Sequence, residues 1–467
     1  MIAFGGYILF VLASGYYLIT TLQWYSYKPK RVLLNHTKPI WNIIYFVAPF
    51  VAYMIAEHKF GVGYIASILY AVALYFWFKG LDKPLVWTGR IKRFATMLII
   101  FALLLYFAAE CKFVLAPFIL AWIASFIVEK ILFAGFKAKA KTKIQNMKDM
   151  QVIGITASYG KTSIKNFLAH ILEGSFRVYA TPRSVNTLGG VIKDINDDLP
   201  NDTQIYIVEM GARVIGDISE ITTFVNPHYA VVGKIGPAHI EYFKTLENIS
   251  ATKLEILESN RLREAWIHKS ANAVANDTIH IFNVDEQSVI STLDSTSFEV
   301  DGVEYEAPIL GDFHAINLTA AIKVAMHLGL SSETIQKRLS TLKATPHRLQ
   351  RIDAGGKVIL DDSFNGNIDG MMASFALAST HKGRKVVITP GLVEVDDELN
   401  IEVAKRANEV FDVVIVTGSL NEVIFEKYID RSKLLKLTNK ADMQNMLIEH
   451  TKAGDLILFA NDAPSFI

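Results

Sequence analysis

The sequence predicts an α-helical membrane region followed by two α/β domains, the first a mostly parallel sheet with a phosphate-binding P-loop. Three observations predict this. Apolar stretches of membrane length crowd the first 136 residues. From residue 151 strands and helices alternate, as they do in parallel α/β sheets. Between a strand and a helix at 154–173 stands GITASYGKTSIKNFLAHILE, whose glycine-lysine-threonine turn suits a phosphate.

Five apolar stretches run over about 2–22, 40–56, 62–78, 94–109 and 113–135. A spanning helix needs ~20 apolar residues, with ~17 at the low end. The first and last meet this well; the middle three are short but carry no central charge. No basic residue follows Met1 directly, which argues against a cleavable signal peptide. Basic residues then decide orientation. Lys28, Lys30, Arg31 and Lys38 occupy one loop, and Lys79, Lys83, Arg90, Lys92 and Arg93 another. The intervening loops hold only Lys59 and Lys112. This alternation predicts five transmembrane helices in the inner (cytoplasmic) membrane, N-terminus outside, with everything after residue 137 cytoplasmic. Lys137, Lys139, Lys141, Lys143 and Lys148 make 137–150 a basic linker. Such lysines find a partner in anionic membrane lipid, at ~1 kcal/mol each.

The totals exclude some classes. A net charge of +1 gives no reason to expect nucleic acid. The single cysteine, Cys111, excludes an intrachain disulfide and a cysteine-based zinc site.

Past the linker, QVIGIT, QIYIVEMG and YAVVGKIG read as strands, and SFEVDGVEYEA as a hairpin turning at Asp301-Gly302. FHAINLTAAIKVAMHLGL reads as a helix closed by glycine. A boundary near KATPHR separates a first domain, 151–344, from a second, 345–467. The strands of the second are KVILDDS, RKVVITPG, DVVIVTGS and DLILFAND.

In the general P-loop, G-x-x-x-x-G-K-[ST], backbone N–H groups surround phosphate and the lysine pairs its charge. Gly160-Lys161-Thr162 keeps the end of that pattern, while Ile155 stands at the first glycine position. Glu209 closes the strand of YIVEMG, at the sheet edge where α/β proteins place ligands. His239 follows the next strand, in GKIGPAHIEYF, and Lys253 lies in ISATKLEIL. Singly these are a surface carboxylate, a turn histidine and a helix lysine. With Thr162 they form a set of hard ligands for Mg²⁺ on ATP phosphates.

GKTSIKNFLAHIL, EMGARVIGDI, IGPAHIEYF…ATKLEI and HRLQ…LDDSFNGNIDGM follow one another at suitable spacing. In this order they resemble motifs of the Mur ligases, ATP-dependent amide-bond ligases of peptidoglycan synthesis. The resemblance covers about 150–467 and implies a Rossmann-like C-terminal domain. It implies that Thr156, Ala157, Ser158, Tyr159, Gly160, Lys161, Thr162 and Ser163 cradle ATP. Thr162 and Glu209 would hold one Mg²⁺, and His239 with a carbamylated Lys253 a second. Asn317 would contact adenine, Arg348 the γ-phosphate and Asp362 the ribose. Asn186, Thr187 and Asn365 would meet the substrates, a UDP-muramyl tripeptide and D-alanyl-D-alanine. Cell-wall synthesis proteins of the membrane become expected partners.

The chain also departs from the family pattern. Ala157 replaces a glycine of T-G-x-x-G-K-[ST], and Gly233-Lys234 replaces Thr-Asn. His314 stands in place of an asparagine, and Gly366 and Ile368 alter N-A-N-P. Residues 1–136 occupy the place of the usual uridine-binding domain, which leaves that site unlocated. Two alternatives remain. One is a ligase acting on a lipid-linked muramyl peptide or poly-γ-glutamate. The other is a transport ATPase, disfavoured by spans that lack internal charge.

Overall fold

Each of the five apolar stretches is helical in the computed structural model, which describes every residue except 26, 28, 35–37, 82, 110–113, 239, 364, 365, 394, 440, 441 and 462–467. The chain divides into two units, Met1–Ala138 and Lys139–Ile467. In the first, the helices Ile2–Trp24, Ile40–Phe60, Gly89–Ala108 and Ala116–Asn146 are long and apolar enough to cross a membrane. The fifth, Gly63–Lys79, has 17 residues and falls short of that length. Aromatic side chains fill this unit. Phe10 stacks on Tyr53 at 4.4 Å, and the rings of Tyr17, Tyr45 and Trp77 are tilted against one another. Gly6 allows the close approach of helices there, since a Cβ would fall 2.6 Å from Tyr64 Cα.

The basic linker is helical for most of its length: the helix begun at Ala116 continues to Asn146. Lysine and alanine, alternating from 137, are both strong helix formers, and neither glycine nor proline interrupts them. Ala140 and Ile144 join the core of the second unit, and Lys143 Nζ donates to the Ile195 carbonyl at 2.8 Å. These residues therefore pack into the core of that unit.

The second unit contains two six-stranded sheets. The first comprises β1 (Gln151–Thr156), β2 (Val178–Ala180), β3 (Ile205–Glu209), β4 (Tyr229–Val232), β5 (Glu264–His268) and β6 (Ile279–Phe282). They are ordered β2-β3-β1-β4-β5-β6 and every pairing is parallel. Strands buried on both faces read as continuous apolar runs, as IYIVE and YAVV do. Helices Lys161–Leu172 and Phe313–His327 cover one face through Ile164, Phe167, Leu168 and Leu318. The other face lies under Val191, Ile195, Ile218, Ile221 and Ile249. Full burial of each such side chain stabilises by about 1.5–3 kcal/mol.

A small antiparallel sheet follows, of β7 (Ile290–Ser291), β8 (Thr296–Val300) and β9 (Val303–Ala307). Its hairpin turns at Asp301 and Gly302, with φ of +51° and +80°, as the sequence predicts. The second large sheet comprises β10 (Gln350–Ala354), β11 (Lys357–Asp362), β12 (Lys385–Thr389), β13 (Val413–Thr417), β14 (Leu434–Leu437) and β15 (Leu456–Ala460). Its order is β10-β11-β15-β12-β13-β14, parallel except for β10 against β11.

Candidate active site

The site forms where β1, β3 and β4 end together, the edge at which open α/β sheets bind ligands. Loop 156–160 leaves β1 and enters the Lys161–Leu172 helix. Thr156 Oγ1 donates to the Met210 carbonyl at 2.8 Å, Ser158 N to the Lys234 carbonyl at 3.0 Å, and Ser158 Oγ to the Gly236 carbonyl at 3.0 Å. The turns after β3 and β4 thus hold the loop from both sides. Gly160 takes φ +78°, and a Cβ there would fall on the Asn317 side-chain amide. Asn317, buried on its helix, therefore lies directly against the phosphate loop. Tyr159 packs over Gly236, where a Cβ would come within 2.6 Å of its ring.

Two departures from the family pattern explain each other here. Ala157 is fully buried, and a Cβ at Gly233 would meet its methyl at 3.0 Å and Ile164 Cδ1 at 2.8 Å. A methyl has moved from one side of the contact to the other. Ala157→Gly should therefore be nearly neutral. Gly233→Thr should destabilise by about 1–3 kcal/mol through overpacking. The double variant should recover most of that loss in thermal unfolding; additive losses would disprove the coupling.

Lys161 Nζ donates to the Ala157 and Ser158 carbonyls at 2.8 and 3.2 Å. Burial pushes its pKa down to about 8; Glu209 opposes this and Arg348 adds to it. Arg348 is likewise lowered by burial, against the pull of Glu209 and Asp362. Lys161 and Arg348 thus share a partly dehydrated setting with the carboxylates of Glu209 and Asp362, where a polyanion would add charge for both cations to meet.

Glu209 is 1% exposed. Its Oε1 accepts from Asn186 Nδ2 at 3.0 Å, and its backbone N donates to Thr181 Oγ1 at 3.1 Å. Its Oε2 is buried, accepts no hydrogen bond from the described residues, and has the Lys165 ammonium 3.4 Å away as its ion-pair partner. A carboxylate oxygen left in this way fits a hard cation. Lys253, 3% exposed, has its pKa pushed down to about 7 by burial and by Lys161, while Asp217 and Glu255 act the other way. Among the described residues no cluster of three His, Cys, Asp or Glu side chains could hold a metal. The expected metal set therefore rests on Thr162, Glu209 and Lys253. His239 and the expected substrate contact Asn365 lie outside the described residues.

The remaining expected residues have visible structural duties. Asn186 is fixed at two points: its side-chain amide donates to Glu209, and its backbone carbonyl accepts from Gly211 N at 2.7 Å. Thr187 caps the Leu188–Asp197 helix through Gly190 N, so its hydroxyl is already engaged. Ser163 is buried beneath the loop. Asp362 accepts from Leu349 N at 3.2 Å and Ser374 Oγ at 2.7 Å, and burial raises its pKa. His314 is held neutral, pushed down to about 3 by burial and then by Arg348. Sequence reasoning missed Lys165, which reaches Glu209 from one turn beyond Lys161. Its i, i+4 spacing from Lys161 was the available signal.

Residues 155–325 match the Mur ligase middle domain. The chain is similar to UDP-N-acetylmuramoyl-tripeptide–D-alanyl-D-alanine ligase of Bacillus subtilis, 29% identical over 343 residues, or 68% of this chain and 74% of the relative. The ligase of the same name from Synechocystis is 29% identical over 59% of this chain, which spans 62% of that relative's length. Among solved structures, MurF ligase from Thermotoga maritima in complex with ADP superimposes with a TM-score of 0.61. That match covers 71% of this chain and 80% of the other at 24% identity, and it is a likeness of fold.

Proposed function

We propose that the chain is a Mur ligase, on the match of residues 155–325 and its likeness to the Bacillus subtilis ligase, and that it joins D-alanyl-D-alanine to a UDP-muramyl tripeptide, cleaving ATP to ADP and phosphate. The observation that carries this reading is the convergence of Lys161, Arg348 and Glu209 where β1 and β3 end. The parts of the chain serving it are 151–344 and a Rossmann-like 345–467.

The first step brings a carboxylate against the γ-phosphate, so two anions must meet. Lys161 and Arg348 offset their repulsion and fix the line of attack. The product is an acyl phosphate. The amine of D-alanyl-D-alanine then adds to its carbonyl carbon, the C–O bond to phosphate breaks, and the ammonium proton passes to solvent or base. Thr162 and Glu209 would hold one Mg²⁺, and Lys253 with His239 the other. Bound there, Mg²⁺ supplies charge neutralisation for the phosphates. With ¹⁸O in the tripeptide carboxylate, one labelled oxygen should appear in the released phosphate. Phosphate without label, alongside dipeptide ligation, would exclude the acyl phosphate.

An ammonium at Lys253 would repel a metal, whereas a carbamate offers it an anionic oxygen. Burial and a pKa near 7 favour the neutral amine that takes up CO₂. Lys253→Ala should lose about a hundredfold or more in rate, the several kcal/mol typical of metal assistance. Millimolar acetate should partly restore it and methylamine should not. Rescue by the amine would leave Lys253 an ordinary cation.

The helical unit would moor this enzyme as an inner-membrane protein with five crossings, N-terminus outside. The alternation of basic loops supports five over four, with Gly63–Lys79 at the ~17-residue lower limit. Membrane lipid and membrane-borne cell-wall synthesis proteins would be its neighbours.

A further inference from the structure

We infer that Lys165 is a positioning residue that sets segment 181–187, whose Asn186 and Thr187 the family resemblance assigns to the substrates, by the phosphate loop; this rests on the ligase reading above. Lys165 lies one turn after Lys161 on the helix that opens at Gly160. Its side chain is 1% exposed, as is that of Glu209, whose Oε2 stands 3.4 Å from Lys165 Nζ. The same Nζ donates to the Thr181 carbonyl at 2.6 Å and to the Arg183 carbonyl at 2.5 Å.

The ammonium thus donates to two carbonyls of one segment and faces Glu209 Oε2, on another, as its ion-pair partner. Segment 181–187 carries Asn186 and Thr187, and it meets Glu209 at two further points, through Thr181 Oγ1 and Asn186 Nδ2. Arg183 takes φ +50°, a conformation an L residue rarely adopts without being held. Of these ties, only Lys165 comes from the helix that carries Lys161 and Thr162. A shift of that helix on binding phosphate therefore reaches 181–187 through Nζ. Asp194 and Arg348 are the other charges acting on Lys165. Asp194 is occupied by the Tyr179 and Tyr206 hydroxyls, which leaves Glu209 as the paired carboxylate.

A buried cation stripped of its partners is costly, so a lysine used only for stability would show itself in unfolding alone. Positioning predicts more. In full-length Lys165→Arg, the flat guanidinium keeps the charge but cannot serve both carbonyls and Glu209 in their different directions. The KM for the tripeptide should rise at least tenfold while ADP affinity stays within threefold. Lys165→Met should show the same split more strongly wherever it folds. Amide exchange gives a reading independent of ligation. ADP with Mg²⁺ should slow exchange across 181–187 in the wild type and leave it unchanged in Lys165→Arg. An unaltered tripeptide KM in the arginine variant would overturn the inference. So would ADP protection of 181–187 that persists in the variant or is missing from the wild type. Absence of ligation by the wild type, with the exchange response intact, would instead count against the ligase reading and support the coupling.

Discussion

Lys161→Ala should lower ligation by about 10²–10³-fold, the loss of about 3–4 kcal/mol that accompanies removal of one transition-state contact. Nζ lies over the phosphate loop, hydrogen-bonded to the Ala157 and Ser158 carbonyls. Its pKa is depressed by burial and by Arg348. A cation in that setting gains most when negative charge enters, and the attack of carboxylate on γ-phosphate concentrates that charge. The variant should still fold, because removing a partly dehydrated cation relieves its repulsion with Arg348. Single-turnover ligation with ADP affinity measured in parallel separates the two effects. A rate within tenfold of wild type would remove Lys161 from the reaction.

Arg348→Ala should cost nearly as much in rate, about a hundredfold, yet leave ATP affinity within about tenfold. Arg348 stands just before β10, on the side of the second sheet, whereas the phosphate loop belongs to the first. Its field reaches Lys161, Glu209 and Asp362. The loop, Lys161 and the helix N-terminus can bind ATP without it, but charge developing on the γ-phosphate then lacks its second cation. Full turnover in this variant would place Arg348 outside the chemistry. Unchanged rate with weakened ATP binding would make it a binding residue only.

What the sequence revealed depended on whether the cause was local. QVIGIT, YAVV and VVIVT are apolar runs whose strand character lies in their own residues. The Asp301-Gly302 turn and the glycine-lysine-threonine loop are local in the same way. β5 and β6, by contrast, carry Glu264, His268 and His280, and become strands through their place beside β4. The stretch after 136 reads as a basic linker from its lysines alone. Its helix is held by Ala140 and Ile144, whose burial depends on residues some fifty positions away.

The candidate site divides similarly. Lys161 and Glu209 were legible from motif and strand end. The exchange between Ala157 and Gly233 was not, because it is a contact between two loops. His347 takes φ +64°, a conformation that glycine adopts more readily, and its Nδ1 bonds to Asp361 Oδ2 at 2.8 Å. That bond explains how a histidine is held in a glycine's conformation. Lys165 was not legible, because its partners, the Thr181 and Arg183 carbonyls and Glu209, lie on other segments.

The central claim is that this chain forms an amide bond at the expense of ATP. Its most direct test is purified full-length protein given ATP, Mg²⁺, UDP-muramyl tripeptide and D-alanyl-D-alanine, with products followed by mass. One product should appear whose mass is the sum of the two substrates less one water, with one ADP per bond and no continuing ADP release when either substrate is omitted. ADP released at the same rate without the tripeptide or the dipeptide, and no such product, would contradict it.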